Sequence, residues 1–289
     1  MKRKTIKKVM RKKISQWIDS IEDGEIRAAV RKDTIVTGGS IASMLLGEPV
    51  NDFDIYFKTL ETTRVVAEYY VKQFKKSHPD FDLVRVEVLE KTDIRGNTET
   101  RVCIIIPSEG VAGDNPDNEE DEVLEEKEVV EEGDYRPVFL SENAITLSDK
   151  IQIISRFHGD PEKIHSNFDF AHAMNWYRYS NNYLELNPLA LECLLSRTLI
   201  YKGSLYPVCS IFRVRKFMSR GWKISAGQLL KIMWQISELD LNDHEILREQ
   251  LTGVDALYFA HLVEALADLD KDRLNSTYIG SIIDSIFQD

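Results

Sequence analysis

Cysteine is scarce in this chain: Cys103, Cys193 and Cys209 are the three in 289 residues, far apart and with no Cys-x-x-Cys pair. That excludes a disulfide-stapled secreted scaffold and a cysteine-rich zinc module, and it predicts buried thiols in a reducing compartment. Histidine is also sparse. Of six, His158, His165 and His172 are spaced seven apart, but no cysteine or paired acid completes a zinc pattern, so they read as structural or surface residues. No apolar run approaches the length needed to span a membrane. The N-terminus is basic but lacks the apolar stretch of an export signal, so the expectation is a cytoplasmic protein with no membrane partner. No internal repeat of solenoid period is evident. What is present in quantity is hydrophobic sequence, 43% of the chain, enough for a sizeable core in one or two domains.

The net charge of -11 is unevenly distributed. Residues 109–134 hold thirteen Asp or Glu and one Lys, a local charge of -12, which leaves the rest of the chain at +1. Strong self-repulsion and few aromatics predict a disordered insertion there. It reads either as a solvated loop or as an acidic mimic of nucleic acid covering a basic surface. At the opposite extreme, residues 2–13 carry eight basic side chains and lead into Ile14, Trp17 and Ile21 at helical spacing. This run fits phosphate binding and a solvated helix start equally well.

The most informative segment is residues 34–57. Thr34-Ile35-Val36-Thr37 is β-branched and reads as a strand. Gly38-Gly39 permits a sharp turn and a close backbone approach to a ligand. Ser40 opens a helix, whose unpaired N–H groups and partial positive charge suit phosphate oxygens, with the hydroxyl as one more donor. In Asp52-Phe53-Asp54-Ile55-Tyr56-Phe57 the alternation has period two. Asp52 and Asp54 therefore share one face of a strand, with Phe53 and Ile55 packed behind. Adjacent carboxylates repel unless a divalent cation keeps both ionised.

At these residues the chain resembles the nucleotidyltransferase superfamily, which includes DNA polymerase beta, CCA-adding enzymes and poly(A) polymerases. Gly39 and Ser40 match the first part of the superfamily motif, and Asp52 and Asp54 the acid-hydrophobic-acid part. The resemblance implies two Mg²⁺ ions, with Mn²⁺ able to substitute, held by carboxylates. It also implies transfer of a nucleoside monophosphate from NTP to a hydroxyl acceptor with release of pyrophosphate. A third acid on a later strand belongs to the pattern. Asp169, between Phe168 and Phe170, is the expected third ligand, with Glu87 in the apolar run Leu83 to Leu89 as its competitor.

The periodicity predicts an α+β fold: a nucleotidyltransferase head over residues 1–185 with a mixed sheet flanked by helices, then an all-helical domain over 186–289. Helices are expected at 5–31 and 61–76, and strands near 83–89, 101–106, 136–147, 150–157 and 168–178. In the helical part, Arg213, Lys216 and Arg220 recur at three and four residues, with Trp222 following. In the resembled superfamily such a domain closes over the nucleotide, so these cations are candidate triphosphate ligands, Trp222 a candidate base-stacking residue, and Arg197 and Lys202 extensions of the patch.

The motif leaves the acceptor open. RNA, above all a tRNA 3' end, is the first expectation, motivated by the basic N-terminus. Nucleotidylation of a protein or small molecule is the second, and a binding module without catalysis the third. Oligomeric state is not legible.

Overall fold

A computed structural model describes residues 1–92, 96, 98–106, 111–113, 135–251 and 280–281. The chain divides into two compact units, Met1–Ser196 and Arg197–Asp289.

The first unit opens with α1 (Arg3–Ser20) and α2 (Gly24–Asp33), followed by β1 (Thr34–Thr37), α3 (Gly39–Leu46), β2 (Phe53–Phe57) and α4 (Leu60–Ser77). Next come the hairpin β3 (Arg85–Thr92) and β4 (Thr98–Ile105), then β5 (Val111–Gly113), β6 (Pro137–Ser141), β7 (Ala144–Leu147) and β8 (Ile151–His158). The unit ends with α5 (Pro161–His165), a 3-10 turn at Ala171–Ala173, β9 (Trp176–Arg178), β10 (Tyr183–Glu185) and α6 (Pro188–Ser196). Among the described residues eight strands form the main sheet, in the order β10-β9-β1-β2-β8-β7-β6-β5. The pair β2–β8 is parallel and the other pairs are antiparallel, so the sheet is mixed.

The core lies on one face of this sheet. Ile6, Met10, Ile14, Trp17 and Ile18 form a fully buried stripe along α1, and Val66, Tyr70 and Phe74 do the same on α4. Both pack with Val36, Ile55, Phe57, Ile153 and Tyr177 from the strands. The Trp17 indole donates to the Tyr70 hydroxyl at 2.9 Å, satisfying both polar groups inside this layer. The opposite face carries a smaller cluster, Ile35, Tyr56 and Ile164, with Ile154, Phe168 and Trp176 packed against it.

Three expected elements are corrected. The single N-terminal helix is two, because Ile21 turns extended after α1 and the Asp23 carboxylate caps α2 by accepting from the Glu25 and Ile26 N–H groups at 2.9 and 3.0 Å. The strand expected over 136–147 is the hairpin β6–β7. The strand expected over 168–178 is a bend, a 3-10 turn and only then β9, so Asp169 does not lie on a strand. Of the acidic stretch 109–134, Val111–Gly113 pairs with β6 as an edge strand, and its other residues lie outside the described ones.

Asp33, at the end of α2, is 6% exposed yet has no place in the motif. Its carboxylate accepts from the Thr59 and Thr62 hydroxyls, each at 2.7 Å, and so ties the start of α4 to α2. Asp33→Ala leaves the buried Thr62 hydroxyl without this acceptor, and a loss of about 2 kcal/mol in unfolding free energy is expected. A urea titration with an unchanged midpoint would contradict it.

The second unit holds β11 (Thr198–Leu199), α7 (Pro207–Ser219), β12 (Lys223–Ile224), α8 (Ala226–Ser237) and α9 (His244–Leu251). Among its described residues it is therefore helical apart from one short parallel strand pair, β11–β12. Among its described residues, Val208, Leu247 and Leu251 form one small buried cluster. The helical stripes expected beyond residue 251 lie outside the described residues, apart from 280–281. Among the described residues, no helix is long and apolar enough to cross a membrane.

Candidate functional site

The site is built where β1 ends and α3 begins. Gly38 takes φ +106° and ψ -154°, a conformation that disfavours any residue with a side chain. The close approach is specific as well: a Cβ placed on Gly38 would lie 2.3 Å from Oδ2 of Asp54. The carboxylate of β2 thus abuts the backbone of the turn. Gly38, the capping residue of α3, brings no side chain of its own to the helix start. Gly39 there is exposed, while Ser40 is 2% exposed and its Oγ has no hydrogen-bond partner. A buried hydroxyl without a partner in the first turn of a helix suits an anionic ligand that brings acceptors of its own. The Gly38 N–H is committed elsewhere, donating to the Ala173 carbonyl at 3.2 Å. Gly38 thus supplies room for Asp54 rather than a donor to a ligand.

On β2 the alternation falls as the sequence requires. Phe53 and Ile55 are buried in the core, while Asp54 is half-buried on the other face and Asp52, just before the strand, is exposed. The parallel register sets Gln152 of β8 opposite Asp54. Lys150, in a left-handed conformation with φ 61°, ends the preceding turn, where its carbonyl accepts from the Phe53 N–H at 2.8 Å and its Nζ donates to the Val50 carbonyl at 3.1 Å. The strand next to Asp54 therefore offers an amide and a cation but no acid. Sequence reasoning missed Gln152 because its relevance arises only from a pairing between segments distant in the chain.

Asp169 lies, half-buried, on the segment between α5 and β9. That segment is bound to the turn: besides the Gly38–Ala173 bond, the Thr37 hydroxyl donates to the Asn175 carbonyl at 2.9 Å and lies 2.8 Å from His165 Nε2. Phe168 packs on Tyr56 of β2, ring centroids 6.1 Å apart. Glu87 is on the separate β3–β4 ribbon and pairs with Arg85 at 2.6 Å. Among the described residues no group of three or more His, Cys, Asp or Glu is gathered so as to hold a metal ion. The expectation of divalent cations therefore rests on the Asp52–Asp54 spacing in the sequence and on Asp54 packed on the glycine turn.

His165 and His172 are held neutral by burial, which pulls both pKa values down to about 4 from 6.5. Nearby acids, Glu162 and Asp169 respectively, oppose the shift. Between pH 6.5 and 4 the unfolded chain binds more protons than the folded one. Each neutral imidazole therefore adds stability that is complete above about pH 6.5 and lost as the pH falls toward 4, about 3 kcal/mol apiece at most. The segment that braces Gly38 is thus expected to loosen in mild acid. Unfolding free energies measured at pH 7 and pH 5 are expected to fall with acid, and less so in a His165→Gln/His172→Gln variant; an equal fall in both proteins would contradict the assignment.

In the second unit, Arg213 and Lys216 lie on α7 and Arg220 is its C-terminal capping residue. Lys216 and Arg220 are exposed and Arg213 is half-buried. The expectation for Trp222 is corrected: it is 6% exposed and packs on Phe217 at 5.6 Å, which removes its face from a nucleotide base. Arg197 adopts a left-handed conformation, and its Nη1 donates to the Arg220 carbonyl at 3.3 Å.

A mixed sheet flanked by helices, with a glycine turn, a helix start and a carboxylate-bearing strand in series, defines the class of fold and site. The chain belongs to the Gabija anti-defense 2 family, whose model matches residues 8–197. A curated relative, "Gabija anti-defense 2" of Bacillus phage SPbetaL7, is 27% identical over 123 residues, covering 42% of this chain and 31% of that protein. The chain thus spans less than a third of the length of that relative. Among solved structures, the Thermotoga maritima CCA-adding enzyme complexed with tRNA matches at 16% identity and TM-score 0.39, over 88% of this chain and 53% of that one. A CCA-adding enzyme in complex with ATP matches at 13% identity and TM-score 0.42, over 91% of this chain and 51% of that one.

Proposed function

We propose that the protein is a metal-dependent nucleotidyltransferase acting against a defence system. The observation that carries the reading is Asp54 Oδ2 abutting the Gly38 turn, next to the buried Ser40 hydroxyl that lacks a partner at the start of α3. In this reading the Gly39 and Ser40 N–H groups and the Ser40 hydroxyl hold the triphosphate. Asp52 and Asp54 hold divalent cations, Mg²⁺ or Mn²⁺, which when bound neutralise charge on the phosphoryl in flight. Asp169, on the segment bonded to the turn, is the third acid of the proposal, with Gln152 beside Asp54 supplying a neutral amide oxygen. An acceptor oxygen attacks the α-phosphorus, the bond to the bridging oxygen breaks, and pyrophosphate leaves as the acceptor proton is lost to solvent.

The family description supports an acceptor that belongs to the defence being countered, and a protein hydroxyl is the acceptor of the primary reading. One observation favours a second reading, transfer to RNA, for which a tRNA 3' end is a natural acceptor: the exposed basic face of α1. Both place the enzyme in the cytoplasm. The test is incubation with each α-labelled NTP, Mg²⁺ or Mn²⁺, and an extract of cells carrying the defence, with the Asp52→Asn/Asp54→Asn variant alongside. Label in a protein band, absent with the variant, supports the primary reading, and label in RNA supports the second. Equal labelling with the variant would refute both.

A further inference from the structure

The stripe that buries one side of α1 leaves the other side to cations. Arg3, Lys4, Lys7, Lys8, Arg11 and Lys12 line a groove of about 1160 Å³ beside the helix, and among the described residues no acid belongs to its lining. Two of these cations also fix the edge of the sheet. The Arg3 guanidinium donates to the Leu184 carbonyl, and that of Arg11 donates to the Tyr179 carbonyl at 2.8 Å while lying 4.3 Å over the Tyr179 ring. The groove is thereby anchored along the connection from β9 to the edge strand β10. Lys4, Lys8 and Lys12 recur every four residues, about 6 Å apart along the axis. Lys13, turned away, pairs with Asp149 at 2.7 Å.

A second feature stands around the sheet edge from the groove, on the face opposite α1. Tyr183 on β10 is 41% exposed and packs on Trp176 with ring centroids 5.4 Å apart, and the Arg178 guanidinium lies 5.1 Å over the Trp176 ring. Tyr183 is close enough to Arg3 to feel its charge, and its hydroxyl donates to Glu185. A row of cations that reaches the β10 edge at Arg3, with an exposed aromatic around that same edge, can track a backbone and stack a base, and it suits a single strand, which bends around an edge, better than a duplex, whose bases are already stacked.

We propose that the α1 groove and Tyr183 form a binding site for single-stranded nucleic acid, read through its phosphates and one stacked base. The site stands on α1 and β10, apart from the residues assigned to nucleotidyl transfer. It engages about four phosphates, for which the log of affinity falls with log salt at a slope of about -3.

Binding of the full chain to a fluorescein-labelled 12-nucleotide oligo(U), and to the matching oligo(dT), is followed by anisotropy across a salt series. Lys4→Glu/Lys8→Glu is expected to weaken binding at low salt by about tenfold or more and to shallow the slope by about 1.4. Tyr183→Ala is expected to weaken binding with the slope unchanged. Circular dichroism melts of each variant establish that it is folded. The proposal is overturned by no binding, by equal affinity and slope in the folded double variant, by a duplex bound as tightly as the single strand, or by polyglutamate competing as well as oligonucleotide of equal charge. The two proposals fail separately, since Asp52→Asn/Asp54→Asn is expected to bind the oligonucleotide like the unaltered protein while losing transfer.

Discussion

Asp54→Asn is expected to lower nucleotidyl transfer by about 10³-fold or more while leaving the unfolding midpoint in place. The reasoning follows from where the side chain sits. Asp54 is half-buried on the face of β2 that looks away from the main core, and its neighbours in the strand, Phe53 and Ile55, supply the packing on the core side. Replacing one carboxylate oxygen by an amide nitrogen keeps the shape and removes a charge that otherwise repels Asp52, so the folded state loses little. The chemistry loses much, because a carboxylate holding a divalent cation contributes several kcal/mol of stabilisation to charge in the transition state, and each 1.36 kcal/mol is tenfold in rate. Transfer within a few-fold of the unaltered protein, at equal stability, would remove Asp54 from the active site.

Gly38→Ala is expected to damage both stability and transfer. The residue sits at φ +106° and ψ -154°, a region that costs a side-chain-bearing residue about 1–3 kcal/mol. Its new methyl would also lie 2.3 Å from Asp54 Oδ2, a distance at which one of the two must move. Either the turn shifts and weakens the Gly38–Ala173 bond, or Asp54 rotates away from the helix start. A stability loss of about 2 kcal/mol and a drop in transfer of at least about 10²-fold are expected, since small misplacements of reacting groups carry penalties of that size. Gly39→Ala is the matched control. A Cβ there meets nothing within 4 Å, so its melting curve is expected to coincide with that of the unaltered protein. A Gly38→Ala protein as stable and as active as the original would contradict the close approach between turn and carboxylate.

The local parts of the site were legible in the sequence because short-range rules govern them. Period-two alternation assigned Asp54 and Phe53 to opposite faces, and a glycine pair after a β-branched strand marked the turn. What was not legible depends on long-range pairing. The neighbour of Asp54 on β8 is Gln152, which no pattern near residue 152 marks. Asp169 shows why a local pattern misleads: Phe168-Asp169-Phe170 alternates like a strand, yet the segment follows α5 and is held by hydrogen bonds to Thr37 and Gly38 rather than by a ladder along its length. The N-terminal helix divides at Asp23 because a side-chain cap competes with continuation of the helix, a choice that hydrophobic periodicity does not register. Trp222 followed a basic helix and read as a base-stacking residue, but Phe217, five positions earlier, turns it into the core.

The central claim is that this site moves a nucleoside monophosphate. The most direct measurement gives the protein, Mg²⁺ and the cell extract either α-labelled or γ-labelled NTP, and follows label in macromolecules and in pyrophosphate. The account predicts acceptor label from the α-labelled nucleotide only, label from the γ-labelled nucleotide in released pyrophosphate, and loss of both with Asp52→Asn/Asp54→Asn. Acceptor label from the γ-phosphate would make the reaction phosphoryl transfer, and no label from either, in an extract where the protein overcomes the defence, would make the site a binding site without chemistry.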